Sequence, residues 1–200
     1  MGATSWSRAL TGAALAFAVT GLAACGGATS PPRTAAELTN PLLSPERSQF
    51  LVGAVARMAT PEEVETYLGL ADDTAAAAFE EAFWQRRDPD AARAGNPVRE
   101  LFDRRAAEAD RRFTEAGYRG RRSDRGTIFV LHGEPEKVDF EINPRAGEPP
   151  LEVWTYARDA VLGLDGRRPA ESYRFIKRGD LTVHYQRPVL EQDRVLRDLP

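Results

Sequence analysis

An aspartate and an arginine in the middle of the chain are the residues best suited by type to chemistry. Asp124 and Arg125 are followed by Gly126. A carboxylate can act as a general acid or base, but it usually needs a second titratable group within reach, and the sequence shows none. The alternative is structural: Asp124 accepts backbone N–H groups in a loop, and Gly126 permits a turn into a strand. In this interpretation, which we favour, Arg125 pairs with Asp88 or Asp110 and holds the loop against the helices.

Four arginines lie close together in the same stretch of the sequence. They are Arg119, Arg121, Arg122 and Arg125. Guanidinium groups bind anions through charge-assisted hydrogen bonds, so the cluster is a candidate site for a phosphate-bearing ligand such as a lipid headgroup. We favour the alternative, a solvated loop whose arginines pair with nearby acidic residues.

The two histidines, His132 and His184, each lie within or at the end of a predicted strand. Neighbouring strands would bring them together, with Glu134 as a third ligand for a metal ion. Their spacing matches no metal-binding motif, so we predict neither a metal nor another cofactor. No glycine-rich phosphate loop occurs, and Ser123 lacks the context of a catalytic nucleophile.

The composition is that of one globular domain with additional segments. The chain has 200 residues, of which 42% are hydrophobic and 28% are charged, which is enough for one core. The formal net charge is −3, with both signs mixed along the chain. This balance gives no reason to expect a nucleic acid as a partner.

The N-terminal segment has the layout of an export signal that ends at the single cysteine, Cys25. Arg8 is followed by an uncharged, mostly apolar stretch from Ala9 to Ala24, which is short for a membrane-spanning helix. The sequence Leu22-Ala23-Ala24-Cys25-Gly26 resembles the lipobox of bacterial lipoproteins. That resemblance implies cleavage before Cys25 and acylation of its sulfur, with two or three acyl chains giving a stable anchor. The alternatives are an ordinary secretory signal and an uncleaved anchor.

Apolar periodicity predicts helices in the first half of the mature chain. The predicted helices cover residues 46–59, a short segment after Thr60, residues 74–87, and residues 97–116. Thr60, Pro61 and Glu63 have the pattern of a capping box, and Asn96-Pro97 is typical of a helix start. The aromatic side chains of this region are expected to form the core.

The periodicity then changes towards that of strands. Predicted strands cover residues 127–132, 137–142, 151–157, 172–177 and 181–186, and the last two flank a hairpin turn at Arg178-Gly179-Asp180. Helices followed by an antiparallel sheet of four or five strands predict an α+β fold. The predicted organisation is a signal peptide over 1–24, an acylated cysteine with a flexible tether over 25–45, a helical region over 46–95, an α+β domain over 96–188, and a tail over 189–200.

Several blocks of the chain together resemble the GWxTD-domain proteins of bacteria. The segment FWQRRDP from Phe83 to Pro89 is similar to the family's FWxxRDP, and GRRSDRG from Gly120 to Gly126 falls where the family has GWxTDRG. Arg121 replaces the tryptophan of that motif, and Ser123 replaces its threonine. Further motif residues of this chain are Trp84, Arg87, Asp88, Asp124, Arg125, Gly133, Pro135, Glu152, Trp154 and Tyr156. Many members look like lipoproteins, and the resemblance implies no established reaction.

Together these features favour a membrane-tethered interaction module over an enzyme, although the sequence leaves catalysis open. We expect another envelope protein as the partner. The residue after Cys25 is Gly26 and not aspartate, which favours an outer-membrane anchor facing the periplasm or the exterior. The alternatives are a hydrolase-like envelope enzyme that uses Asp124 and Arg125, and a protein that binds anionic ligands through the arginine cluster.

Overall fold

Within the part of the chain that the structure describes, five α-helices precede a four-stranded antiparallel sheet, which confirms the predicted α+β fold. The computed structural model describes residues 33–185, so the predicted signal peptide, Cys25 and the tail from residue 189 lie outside the described residues. The helices are α1 (Ala54–Met58), α2 (Pro61–Leu68), α3 (Asp73–Gln85), α4 (Pro97–Phe113) and α5 (Asp124–His132), with a short 3-10 helix at Gly120–Arg122. The strands are β1 (Lys137–Glu141), β2 (Leu151–Thr155), β3 (Ser172–Arg178) and β4 (Leu181–His184).

Side-chain caps fix where the helices begin. The capping box of α2 is present, because the Thr60 side chain accepts the backbone N–H of Glu63 while the Glu63 carboxylate accepts that of Thr60. Asp72 caps α3, and Asn96 caps α4 ahead of Pro97. The starts of α2 and α4 were predicted from short-range sequence patterns, whereas the cap at Asp72 was not identified.

Aromatic side chains fill the space between the helices. The ring of Phe83 meets the rings of Phe50 and Trp84 edge-on, and Trp84 packs in turn on Phe102. Tyr67 is fully buried, and its hydroxyl donates to the Glu80 carboxylate. The predicted aromatic core is therefore present, and burying each ring contributes roughly 1.5–3 kcal/mol.

The segment 127–132, predicted as a strand, is helical. It forms most of α5, and Ile128, Phe129, Val130 and Leu131 are all buried. A short helix that is apolar on every side shows no 3.6-residue period, so it resembles a buried strand in sequence. Ser123 caps its first turn, and this local signal outweighs the β-preference of the residues that follow.

Two predictions for residues 25–59 are corrected. The predicted helix 46–59 is helical only at Ala54–Met58, because Gly53 has a φ of 95° that breaks the helix. The predicted flexible tether does not extend to residue 45, because Leu38 and Leu43 belong to the buried core. Asn40 is 1% exposed and donates its side-chain amide to the carbonyl oxygens at the end of α2, which fixes this segment to the helices.

The sheet runs in the order β1-β2-β3-β4, so β1 and β4 are its edges. The hairpin of β3 and β4 is confirmed, with Arg178 opposite Leu181 and Gly179 at a φ of 57° in the two-residue turn. Alternation along the strands gives two faces. Trp154 and Phe175 lie on the face that packs against the helices, whereas Leu151, Val153 and Ile176 form a smaller cluster on the other face.

Candidate functional site

The two glycines of the GRRSDRG segment allow a close backbone crossing. A Cβ atom on Gly120 would lie 2.0 Å from the carbonyl oxygen of Ala109 in α4. A Cβ atom on Gly126 would lie 1.8 Å from the carbonyl oxygen of Gly120. Because no side chain fits at either position, the glycines let α4, the 3-10 helix and α5 pack backbone to backbone. Gly126 lies inside α5, so the predicted turn into a strand at this residue is wrong.

Ser123 and Asp124 connect this crossing to α5 and to the sheet. The Ser123 hydroxyl accepts the backbone N–H of Gly126 at 3.1 Å, which is the N-cap contact that threonine also makes. Asp124 accepts the backbone N–H of His184 at 2.6 Å. Its predicted role as an acceptor of backbone N–H groups is therefore confirmed, but the donor belongs to β4 and not to the local loop.

Arg125 lies at the centre of a half-buried ionic network. Its guanidinium bonds to the Glu115 carboxylate and, at 2.9 Å, to Glu152 of β2. All three side chains are at most 20% exposed. Glu152 also accepts the indole N–H of Trp154, and Glu115 accepts both the backbone N–H and the hydroxyl of Thr182. The network links α5, β2 and β4 through the segment that follows α4.

The structure corrects the predicted partners of Arg125. Asp110 pairs with Arg121, which reaches it through its backbone N–H at 2.8 Å and its Nε at 2.7 Å. Asp88 instead accepts the backbone N–H of Asp90 in a local turn. Position 121, where the family has tryptophan, is therefore an arginine that forms an ion pair with Asp110 of α4.

The four arginines do not form a common anion-binding surface. Arg121 and Arg125 are occupied by carboxylates, and Arg122 bonds to the side-chain oxygen of Gln49. Arg119 is exposed. The guanidinium groups of Arg121, Arg122 and Arg125 therefore bind different partners, and the four arginines form no shared phosphate-binding site.

The other motif block, around Trp84 and Arg87, forms a second junction within the helical layer. Arg87 donates to both oxygens of Glu63 and to the carbonyl oxygens of Met58 and Phe83, and it lies 3.5 Å from the centre of the Phe83 ring. Burial acts to raise the pKa of Glu63, but hydrogen bonds from Arg87, Thr60 and Arg86 outweigh it and lower the pKa to about 2. The junction joins the ends of α1 and α3 to the start of α2.

Gly133 and Pro135 terminate α5 and lead the chain into the sheet. Gly133 has a φ of 82°, and a Cβ atom there would lie 2.8 Å from the guanidinium of Arg105. Arg105 donates to the last carbonyl oxygens of α5, and the Tyr156 hydroxyl donates to that of Gly133 at 2.9 Å. Pro135 is buried. These residues fix the exit of the helix and show no geometry for a reaction.

The two histidines do not form a metal site. Within residues 33–185, no group of three histidine, cysteine or acidic side chains could hold a metal ion. His132 and His184 both lie near the ring of Tyr173, at centroid distances of 6.1 and 6.3 Å. Glu134 pairs with Arg112. Burial lowers the pKa of both histidines, which favours neutral rings.

A cavity of about 400 Å³ is lined by residues of all four strands, including His184, whose backbone N–H bonds to Asp124. Its lining includes Glu141, Ser172, Arg174 and Tyr185. Arg174 already bonds to Glu141 at 3.1 Å and to the Ser172 hydroxyl at 3.0 Å. Asp124 itself does not line this cavity, although His184, to which it bonds, does.

Sequence analysis missed the acidic partners of the motif. Glu115 was not singled out, because it follows the last turn of α4 and belongs to no recognisable pattern. Glu152 was noted only as a residue of the family pattern, although a carboxylate in an otherwise apolar strand signals a buried partner. Glu63 was recognised as a cap but not as the partner of Arg87.

Comparison with known proteins identifies a family. The family model described as the GWxTD domain matches residues 41–163. Neither the curated proteins nor the solved structures provide a match. Among the described residues, no helix is long and apolar enough to cross a membrane.

Proposed function

The chain belongs to the GWxTD-domain family, and from this premise we propose that it is a lipid-anchored, non-enzymatic interaction module of the bacterial cell envelope. Its partner is another envelope protein. It uses no cofactor, and its anchor is the acylated Cys25.

The polar groups of the motif are occupied by contacts within the domain. This observation is the main support for a non-enzymatic role. Asp124 accepts a backbone N–H, and Arg125 is held between two carboxylates. A catalytic acid or base must be free to exchange a proton with a bound substrate. The motif instead supports a rigid domain, and rigid scaffolds suit binding through their exposed surfaces.

The sequence around Cys25 supports the anchor. Leu22, two alanines and a cysteine follow an uncharged stretch, and the cysteine is the only one in the chain. Small residues suit the narrow groove of a signal peptidase, and a lone thiol is explained when lipid occupies it. Since Gly26 follows the cysteine, we propose the outer membrane, with the domain facing the periplasm or the exterior.

Metabolic labelling with a tagged fatty acid in a bacterial host tests the anchor. We expect label in the wild-type chain and in Ala28→Ser, a control that adds a hydroxyl close to the site. Cys25→Ser should take up no label and should leave the membrane fraction. The anchor is wrong if wild type takes up no label and Cys25→Ser stays on the membrane.

Cross-linking in intact cells, followed by mass spectrometry, tests the partner separately. Cross-links between the described domain and another envelope protein would support the module. Recovery of cross-links only within or between copies of this chain would contradict the proposed partner. Cys25→Ser is the matched control, because displacement from the membrane should reduce those cross-links.

A further inference from the structure

The two edges of the sheet differ in how their backbone groups are satisfied. At β4, the outward N–H groups of Thr182 and His184 donate to Glu115 and Asp124, both at 2.6 Å. At β1, within residues 33–185, no backbone hydrogen bond reaches the strand except from β2. An uncapped edge strand offers a row of donors and acceptors to another strand.

The open edge also carries an exposed apolar stripe. Val138, Phe140 and Ile142 alternate along β1 and its end, and they are 46%, 72% and 95% exposed. Alternate residues of a strand share one face, so the three side chains form one line. Phe140 is opposite Glu152 in the register with β2, which places the stripe on the helix-packed face of the sheet but beyond the helices.

The other face of β1 is charged. Lys137, Asp139 and Glu141 alternate there, with Lys137 bonded to Asp139 at 2.7 Å and Glu141 bonded to Arg174. Charged residues on an edge oppose pairing with an arbitrary strand. They favour a strand with complementary charges. The positive start and the negative end of β1 complement those of a second β1 that runs antiparallel to it.

We propose that β1 pairs with β1 of a second copy of the chain, in antiparallel register about Asp139, to form a continuous eight-stranded sheet. This inference goes beyond the proposed function and needs neither the lipid nor another envelope protein. A two-fold axis perpendicular to the sheet relates the copies, so every contact occurs twice. Strand addition at an open edge is a common mode of protein recognition.

The register aligns all five residues of β1 and matches them chemically. Lys137 lies opposite Glu141 of the second copy, and Val138 lies opposite Phe140 of the second copy. Opposite charges and apolar pairs directly across an antiparallel ladder are both stabilising. At the centre Asp139 faces its own symmetry mate, and the Lys137 that bonds to each Asp139 offsets part of this repulsion. A shift of two residues in either direction would align only three residues of β1, and in one direction it would also oppose Asp139 and Glu141.

Disulfide trapping tests the register directly. The full chain carries Cys25→Ser in detergent, so that an introduced cysteine is its only thiol. Asp139→Cys places two thiols directly opposite, at a Cα separation of roughly 4.5–5.5 Å that suits a disulfide. We expect a covalent dimer under mild oxidation for Asp139→Cys, and little for Phe140→Cys or for Asp180→Cys at the distant hairpin turn. No dimer at Asp139, or equal yields at the three positions, would overturn the proposal.

Charge reversal at the two ends of β1 tests the same register without a new thiol. Lys137→Glu and Glu141→Lys each place like charges opposite one another in a homodimer, so each variant alone should be monomeric in analytical ultracentrifugation. A mixture of the two restores both opposite-charge pairs and should form a heterodimer. The affinity should be on the order of micromolar, because a single strand pair is a small interface. The proposal is overturned if the single variants dimerise like wild type, or if the mixture stays monomeric while wild type dimerises.

Discussion

The carboxylate of Asp124 accepts the backbone N–H of His184 across 2.6 Å, and this contact joins the start of α5 to the edge of the sheet. The N–H lies on the side of β4 that no strand of residues 33–185 covers. Together with Glu115 and Thr182, the pair closes this edge with carboxylate oxygens. The acidic residue of the family motif is thus an edge cap, a role that requires an acceptor and not a titrating proton.

We predict that Asp124→Ala destabilises the domain by about 1–2 kcal/mol, because the N–H of His184 loses a charged acceptor. Asp124→Asn keeps an acceptor oxygen and should cost less. Urea denaturation gives the free energy of unfolding, and amide hydrogen exchange at His184 reports the contact itself. Exchange there should accelerate most in Asp124→Ala.

The matched control is Asp159→Ala, which removes an exposed carboxylate from the loop before β3. Its free energy of unfolding should lie close to that of wild type. If Asp124→Ala unfolds like this control and the His184 amide exchanges at the wild-type rate, the edge-cap role is incorrect.

The close crossing at Gly126 predicts a much larger effect. Gly126→Ala introduces a Cβ atom 1.8 Å from a backbone oxygen, and backbone cannot move aside as a flexible side chain can. We expect a loss of roughly 4 kcal/mol or more, or no folded protein at all. Circular dichroism and thermal denaturation measure this outcome.

Gly69→Ala provides the comparison for Gly126→Ala. Gly69 has a φ of −88°, and its added Cβ atom would make only ordinary contacts, the nearest at 3.5 Å. This variant should be as stable as wild type or slightly more stable, because alanine restricts the unfolded chain. Equal stability of the two alanine variants would contradict the role assigned to the motif glycine.

Local signals in the sequence predicted the starts of α2 and α4, but not those of α1 and α5. The caps at Thr60 and Asn96 involve residues two or three positions apart, so their patterns are visible in the chain. The strand predicted over 127–132 was wrong because a helix buried on all sides loses its period. Ser123 ahead of α5 and Gly133 behind it were the available indications of a helix.

The candidate site was predictable in its residues but not in its contacts. The sequence identified Asp124 and Arg125, yet their partners are 60 and 27 residues away, at His184 and Glu152. Asp110 was predicted as a partner of Arg125 because the two are close in sequence. In the structure Asp110 pairs with Arg121 instead. Pairing over such separations depends on the strand register, which local patterns do not determine.

The ionic network of Arg125 predicts strong coupling between its members. Arg125→Ala leaves Glu115 and Glu152 partly buried without their cation, and breaking a buried ion pair in this way costs roughly 3–5 kcal/mol. A double-mutant cycle with Glu152→Gln measures the interaction, and we expect a coupling free energy above about 1 kcal/mol.

An exposed ion pair gives the reference for that cycle. Arg99 pairs with Glu81 at 3.0 Å, and the two side chains are 46% and 58% exposed. Arg99→Ala should cost at most about 1 kcal/mol. The interpretation of the Arg125 network as a structural junction fails if the two arginine variants are equally stable.

The Glu63–Arg87 junction predicts a pH dependence of stability. The pKa of Glu63 is lowered from 4.5 to about 2 in the folded chain. A carboxyl group with a depressed folded-state pKa stabilises the fold above its unfolded pKa, and this contribution is lost as the pH falls from about 4.5 towards 2. The full contribution is at most about 3 kcal/mol. Between pH 6 and pH 3 the stability difference between wild type and Glu63→Gln should therefore shrink by about 2 kcal/mol, measured by urea denaturation at each pH.

The control is Glu81→Gln, which alters the exposed pair with Arg99. Its free energy of unfolding should follow that of wild type at every pH. If the free energy of unfolding of Glu63→Gln also runs parallel to wild type over this range, the junction carries no linked proton.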